Sequence, residues 1–374
     1  MTAMPIRTLP KLLPGVLFFS ISLSGGAAVA GTPLYHLTVL SAPGASSIQA
    51  SDINDAGQIV GAYLDQDFNS RAAYWDADGS VHDLGLPGQG DGYAYAINNH
   101  GQIVGSFLDY VNPTVGLLWN TATPDQSTSL SSDTSVNVAP TDINDAGVVV
   151  GGFGVPASER AFVWTTTTGL VDYGLADETV EFEQARWSSI NAAGKLVGHW
   201  NVHSSDIHAT VGQAGTPSVL PMGAVSTEFP TSVGGINNAG VVVGVGLAAD
   251  APQLVPVVFA DDGSYSEISG ATLGQSNGCA AAINDSGVIV GSAGIGTASG
   301  CAPGLQAWVY RDGAVYDLYD VVDDHGGFSN FQIGRAINAA GVIIGSGHLA
   351  DDSIATFVLT PLPSDQVFID GFDG

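Results

Sequence analysis

Apolar residues come along this chain in bursts of four to six, such as Ile59-Val60-Gly61-Ala62-Tyr63, Ala161-Phe162-Val163-Trp164 and Val242-Val243-Gly244-Val245, each bounded by Gly, Asn, Asp or Pro. Runs this short, rich in β-branched and aromatic residues and closed by turn formers, predict strands, and Ala-Leu-Glu-Lys helical stretches are absent. One burst recurs. The pattern Ile-Asn-x-x-Gly-x-(Ile/Val/Leu)-(Val/Ile)-Gly begins at Ile53, Ile97, Ile143, Ile190, Ile236, Ile283 and Ile337. From Asn to Asn the steps are 44, 46, 47, 46, 47 and 54 residues, within the period range of propeller blades.

Four strands fit each unit. In the first, strand A covers about Ile48 to Ile53, strand B Gln58 to Tyr63, strand C Arg71 to Trp75 and strand D Ser80 to Leu84, with turns at Asn54-Asp55-Ala56-Gly57 and Asp76-Ala77-Asp78-Gly79. The Asn of each A–B turn (Asn54, Asn98, Asn144, Asn191, Asn237, Asn284, Asn338) is expected to accept a hydrogen bond from the backbone two residues on. The Gly three places later (Gly57, Gly101, Gly147, Gly194, Gly240, Gly287, Gly341) is expected to turn left-handed. The second Gly of the pattern falls inside strand B, where a missing side chain signals close approach of another backbone.

The ends of the chain argue for a closed ring. The seventh unit has strands A and B over Ile337–Gly345 and a strand C at Ala355–Leu359, then no strand D. An unassigned strand, His36 to Leu40, precedes the first unit. One orphan fits the other vacancy, so the expected fold is an all-β, seven-bladed propeller of four-stranded antiparallel blades closed by the N-terminal strand. It spans residues 31–363, followed by a short tail over 364–374.

Residues 1–30 read as an export signal: Arg7 and Lys11, an apolar run from Leu12 to Leu23, and Ala28-Val29-Ala30 as a cleavage site. The expected destination is periplasmic or extracellular, with no integral membrane segment after cleavage. Two cysteines, Cys279 and Cys301, are expected to pair in that oxidising space. The formal net charge of −28 repels phosphate backbones, which excludes nucleic acid as a partner. With 45% hydrophobic residues and only 12% charged, the chain is nonetheless a packed body and not an acidic tail.

Topology puts the short A–B and C–D turns on one face and the longer B–C and D–A loops on the other. Segments 64–70, 85–93, 174–187, 201–208, 223–235, 294–305 and 323–335 then form a variable rim around a central channel. Three groups on it are candidates for ligand contact. Glu178, Glu181, Glu183, Arg186 and Trp187 offer carboxylates and an aromatic platform of the kind sugars stack on. Asp323, Asp324 and His325 with Phe328 and Phe331 sit in the longest repeat step. His199, His203 and His208 lie close in sequence, but extended residues four apart are about 13 Å away, too far to share a metal.

No recognised catalytic spacing occurs. Asp76-Ala77-Asp78-Gly79 lacks a calcium loop's closing Glu, since the twelfth position is Pro87. Gly294-x-Gly296-x-x-x-Gly300 has neither the helix nor the spacing of a dinucleotide site. No cofactor, metal or catalytic residue is therefore assigned.

The Ile-Asn-x-x-Gly-x-Val-Val-Gly unit followed by an Ala-Phe-x-Trp-like strand resembles the HAF-type extracellular repeat family of bacterial proteins, over nearly all of residues 35 to 360. Arg160-Ala161-Phe162 and Arg71-Ala72-Ala73 approximate its His-Ala-Phe element, whereas Ala209-Thr210-Val211-Gly212 has lost the aromatics. The resemblance implies secretion and no established activity. The ending Val367-Phe368-Ile369-Asp370-Gly371-Phe372-Asp373-Gly374 resembles a short tail on exported proteins of some Gram-negative bacteria. The reading is a secreted binding or surface-interaction module whose ligand the sequence does not identify, a glycan and a protein being the candidate classes. The alternatives are a carbohydrate-active enzyme using rim carboxylates, or a structural component of an envelope or matrix.

Overall fold

The computed structural model describes residues 34–155, 158–174, 183–202, 206–221, 232–249, 253–260, 263–294, 296–297 and 300–363. The expected export segment and the C-terminal tail lie outside them. Strands A to D are Ser47–Ile53, Ile59–Leu64, Ser70–Trp75 and Val81–Asp83 in blade 1 and Asp91–Ile97, Gln102–Leu108, Val115–Asn120 and Thr128–Ser129 in blade 2. They are Asn137–Ile143, Val149–Val155, Ser158–Thr165 and Gly169–Gly174 in blade 3 and Glu183–Ile190, Lys195–Val202, Asp206–Gln213 and Thr216–Pro221 in blade 4. Blade 5 has Ser232–Ile236, Val242–Leu247, Leu254–Phe259 and Tyr265–Glu267; blade 6 has Gly278–Ile283, Ile289–Ala293, Gln306–Arg311 and Ala314–Asp317. Each blade is one antiparallel sheet in the order A-B-C-D.

Blade 7 takes three strands from the end of the chain, Phe328–Ile337, Ile343–Leu349 and Ile354–Pro361, and its fourth, Tyr35–Val39, from the beginning. Leu37 lies opposite Leu359 in that pairing. The 6–7 connection fastens the same strand from its other side: Leu34 N–H donates to Val321 O, and Asp323 accepts from the Leu37 N–H and pairs with His36 at 2.6 Å. The indole N–H of Trp119 donates to Gly85 O, just past the D strand of blade 1, and that of Trp75 donates to Ser41 O, just past the N-terminal strand. The first strand is thus bonded as a D strand. The propeller is closed.

The core lies between blades. Seven apolar clusters occur among the described residues, each formed by two neighbouring blades, and the one joining Trp75 and Ile59 to Ile344 and Ala336 completes the circle from blade 7 to blade 1. A four-stranded blade is too small to bury an apolar face on its own, so each is stable only against its neighbours.

Candidate functional site

Every A–B hairpin is built alike. The Gly N–H of Asn-x-x-Gly donates to the Asn carbonyl at 2.9 to 3.1 Å, with Gly φ between 70° and 83°. The Asn Oδ1 accepts from the N–H four residues on, for example Gln58 at 2.9 Å and Val148 at 3.1 Å. The expected bond from two residues on accompanies it at Asn98, Asn144 and Asn284.

The Nδ2 group reaches sideways instead. Each of the seven buried Asn residues donates to the backbone carbonyl of the corresponding Asn in the next blade at 3.0 to 3.2 Å, and Asn338 returns the chain of bonds to Asn54. Seven inter-blade bonds thus encircle the axis. Outside them, the backbone N–H groups of Asp55, Asn99, Ala192, Asn238 and Ala339 donate to the side chain at the matching position of the following blade.

Three residues before each Asn the A strand carries a β-bulge. The register shifts at Ser51, Tyr95, Thr141, Ser188, Gly234, Ala281 and Arg335. The bulge turns a carbonyl onto strand B, and a Cβ on the second Gly of the repeat would collide with it: Gly61 against Gln49 O, Gly151 against Ala139 O, Gly345 against Ile333 O. Hairpin, bulge and second Gly are therefore one device. Bulges re-aim side chains, and here the bulge residues and those after them line a cavity of about 220 Å³ on the axis. A second axial cavity of about 220 Å³, lined by the Asn ring and the residues on either side of it, lies at the tight-turn end.

The walls of the bulge cavity are uneven. Blades 5 and 6 contribute Gly234, Gly235, Ala281 and Ala282, whereas Tyr95, Asp52, Asp142 and Arg335 project from blades 2, 1, 3 and 7. The Asp52 carboxylate accepts from Ile53 N–H at 2.8 Å and from Ile97 N–H of blade 2 at 3.0 Å. Asp142 does the same with Ile143 at 2.7 Å and Ile190 of blade 4 at 2.8 Å, and also accepts from Ser189 Oγ. Burial, reinforced by the Asp142 charge, pushes the Asp52 carboxyl up to about 7; burial also raises that of Asp142. Arg335 makes no hydrogen bond or ion pair among the described residues, and burial lowers its pKa.

No protein-family model matches the chain, and no curated protein matches it. Among solved structures it is similar to the propeller domain of the Trilobed protease of Pyrococcus furiosus, described as having an open velcro topology, with 8% identity, TM-score 0.52, and 88% of this chain and 99% of that one covered. It is also similar to YCF48 bound to D1 peptide, with 13% identity, TM-score 0.54, and 89% and 100% covered. A third similarity is to a puromycin hydrolase, with 9% identity and TM-score 0.54, where 86% of this chain matches 54% of that one. These likenesses show the fold. They carry no activity across.

The structure separates the residues expected on the rim. Trp187 is fully buried, packed edge-to-face on Tyr173 in the core between blades 3 and 4, and Phe331 is 1% exposed among Phe328, Phe357 and Tyr319. Both are corrections: period-2 alternation in the A strand directs these rings into the blade interface. Arg186 is held by Glu159, its Nε at 2.9 Å, and serves an ion pair. The Glu183 backbone belongs to strand A of blade 4, and Glu178, Glu181 and His203 lie outside the described residues. Asp324 accepts from Gly326 N–H, and His325 stacks on Tyr319 with ring centroids 4.0 Å apart, so both finish a local turn.

His199 and His208 face opposite sides of blade 4: His208 is cross-strand to Trp200 and packs against it with the rings tilted by 32°, while His199 approaches Ser188 Oγ at 3.4 Å. Burial and the Arg186 charge push His199 down to about 4, which makes it a poor base for that hydroxyl at neutral pH. The Cys279–Cys301 disulfide is present with a Cα separation of 5.2 Å, and it anchors the B–C loop of blade 6. Cys279 lies within strand A, one residue past its start.

The long-loop face has a separate character. Phe68, Tyr110, Val111, Val155, Leu305 and Ile354 are exposed by 53% to 88%, and all lie at B–C connections. Phe68 and Tyr110 adopt φ of 62° and 64°, a region aromatic residues rarely enter.

Proposed function

We propose that this protein is an exported binding module of the extracellular-repeat type, which takes its ligand into the axial bulge cavity from the long-loop face. One observation carries the reading. Seven copies of one backbone device bring six residue types, Ser, Tyr, Thr, Gly, Ala and Arg, to a single cavity, while the Ile, Asn and Gly positions of the same repeat do not vary. Packing alone asks for repetition. Chemical variety at the re-aimed positions is what a recognition site needs.

Export is supported by the basic and apolar start of the chain, the disulfide and the resemblance to HAF-type repeats. Exposed apolar groups around the loop face support contact with a ligand larger than the cavity. YCF48, which shares the fold, is described bound to a peptide, and peptide capture is a precedent for this reading.

The test is a panel of oligosaccharides, polysaccharides and peptides scored by thermal shift and by new reducing ends or new amino termini. The expected result is stabilisation without product, lost in Tyr95→Ala. Product formation overturns the module in favour of an enzyme, and stabilisation that survives Tyr95→Ala moves the site away from the cavity.

A further inference from the structure

Arg335 is set apart by what surrounds it. The chain holds 36 carboxylates against eight lysines and arginines, yet this guanidinium, half-buried in the axial cavity, has none of the described ones within ion-pair distance. Asp52 sits in the blade next to it and lines the same cavity, but the two are not paired. Asp52 and Asp142 in turn have no cation among the described residues. Each is bonded to backbone N–H groups, Asp142 also to one hydroxyl, and a carboxylate has about four acceptor sites, so both keep lone pairs for a further donor. The cavity therefore presents an unanswered positive charge and unanswered negative charges that do not neutralise each other.

Resting on the binding-module reading, we propose that this cavity takes a small dipolar ligand, with a carboxylate on Arg335 and an ammonium group toward Asp52 and Asp142. Charge selects this class over the simpler ones. A plain anion would meet the field of a chain with net charge −28 and two carboxylates at its destination. A plain cation would leave Arg335 unanswered. A zwitterion carries no net charge and answers both, and the planar guanidinium matches a carboxylate in a bidentate pair. The Gly and Ala walls of blades 5 and 6 leave room for its remaining atoms. The shared chemistry, one ammonium and one carboxylate on a small molecule, belongs both to free α-amino acids and to short peptides.

The experiment is calorimetric titration at pH 8 of the mature protein with single amino acids, with di- and tripeptides, and with their N-acetylated and C-amidated analogues. Binding by amino acids assigns the free monomers, and binding by peptides alone assigns chain ends. In either case, blocking one end is expected to weaken affinity at least ten-fold, Arg335→Gln to remove carboxylate discrimination, and Asp52→Asn to weaken the ammonium arm. Because Arg335 holds no other residue, Arg335→Gln is expected to melt with the unmodified protein. Equal affinity for blocked and free forms overturns the proposal. So does an NMR titration that places the Asp52 carboxyl below its ordinary value, since that is the mark of an internal Arg335–Asp52 pair. If zwitterions fail while a glycan or uncharged ligand stabilises the protein through Tyr95, this inference falls and the module reading stands.

Discussion

The side-chain amide of Asn338 donates to the backbone carbonyl of Asn54 at 3.0 Å, joining residues 284 positions apart in sequence. That bond repeats the one each blade makes with the next, so the seam between the last blade and the first is hydrogen-bonded like any other. The invariant Asn is therefore an inter-blade residue as much as a turn residue.

Asn144→Ala removes a donor to Asn191 O and an acceptor for the Ala146 and Val148 N–H groups at a buried site. Leaving such groups unsatisfied costs about 2 to 4 kcal/mol, more than a lost turn cap. Asn144→Asp is expected to do no better, since it keeps the acceptor but turns an oxygen on the neighbouring carbonyl. Urea denaturation of the two variants checks both statements; a loss under about 1 kcal/mol contradicts the role of the ring.

The two glycines of the repeat should differ in cost. Gly147 has φ of 74° and its new methyl would meet only the end of the Gln102 side chain, so Gly147→Ala is expected to lose about 1 kcal/mol from backbone strain. Gly151→Ala drives a methyl into the Ala139 carbonyl and the Phe162 ring, neither of which can yield, and is expected to cost at least about 3 kcal/mol or prevent folding. Equal melting temperatures would contradict the coupling of the second Gly to the bulge.

Removing residues 35–42 should leave strand Ile354–Pro361 as an open edge and uncover Phe357 and Leu359. The truncated protein is expected to aggregate or melt far below the intact one. A truncated protein with the intact melting curve refutes terminal closure.

The pH dependence of stability has a definite sign. The folded Asp52 carboxyl titrates near 7, above the ordinary unfolded value of about 3.9, so the native state holds its proton more tightly. Its contribution is fully present below about pH 4 and is lost as pH rises toward 7. Asp52→Asn, which cannot ionise, is expected to gain in melting temperature relative to the unmodified protein between pH 5 and pH 8. A difference that shrinks over that interval contradicts the raised value.

Blade number, strand order and closure were legible because they follow from Asn-x-x-Gly turns and β-branched runs repeated seven times, with an orphan strand at one end of the chain and a missing strand at the other. The cavity was not read, because bulges leave no mark in a single copy. The second Gly was recognised as a close-approach position, but what approaches it, the carbonyl two residues before Ser51, Tyr95 or Arg335, is settled only by pairing across strands. Comparing the copies does hold the signal: the residues two and three places before each Asn change from Asp and Arg to Gly and Ala, while the Ile and Asn that follow them stay fixed. Trp187 and Phe331 were misplaced for a related reason, since boundaries drawn five and eight residues late leave the inward-facing start of an A strand in a loop.

The most direct test of where this protein binds is hydrogen exchange with and without a ligand recovered from the panel. Protection is expected at the bulges, in peptides containing 51–52, 95–96, 141–142 and 335–336, drawn from four blades at once. Protection confined to the B–C loops around Phe68, Tyr110 and Ile354, with the bulge peptides unchanged, would contradict the axial site.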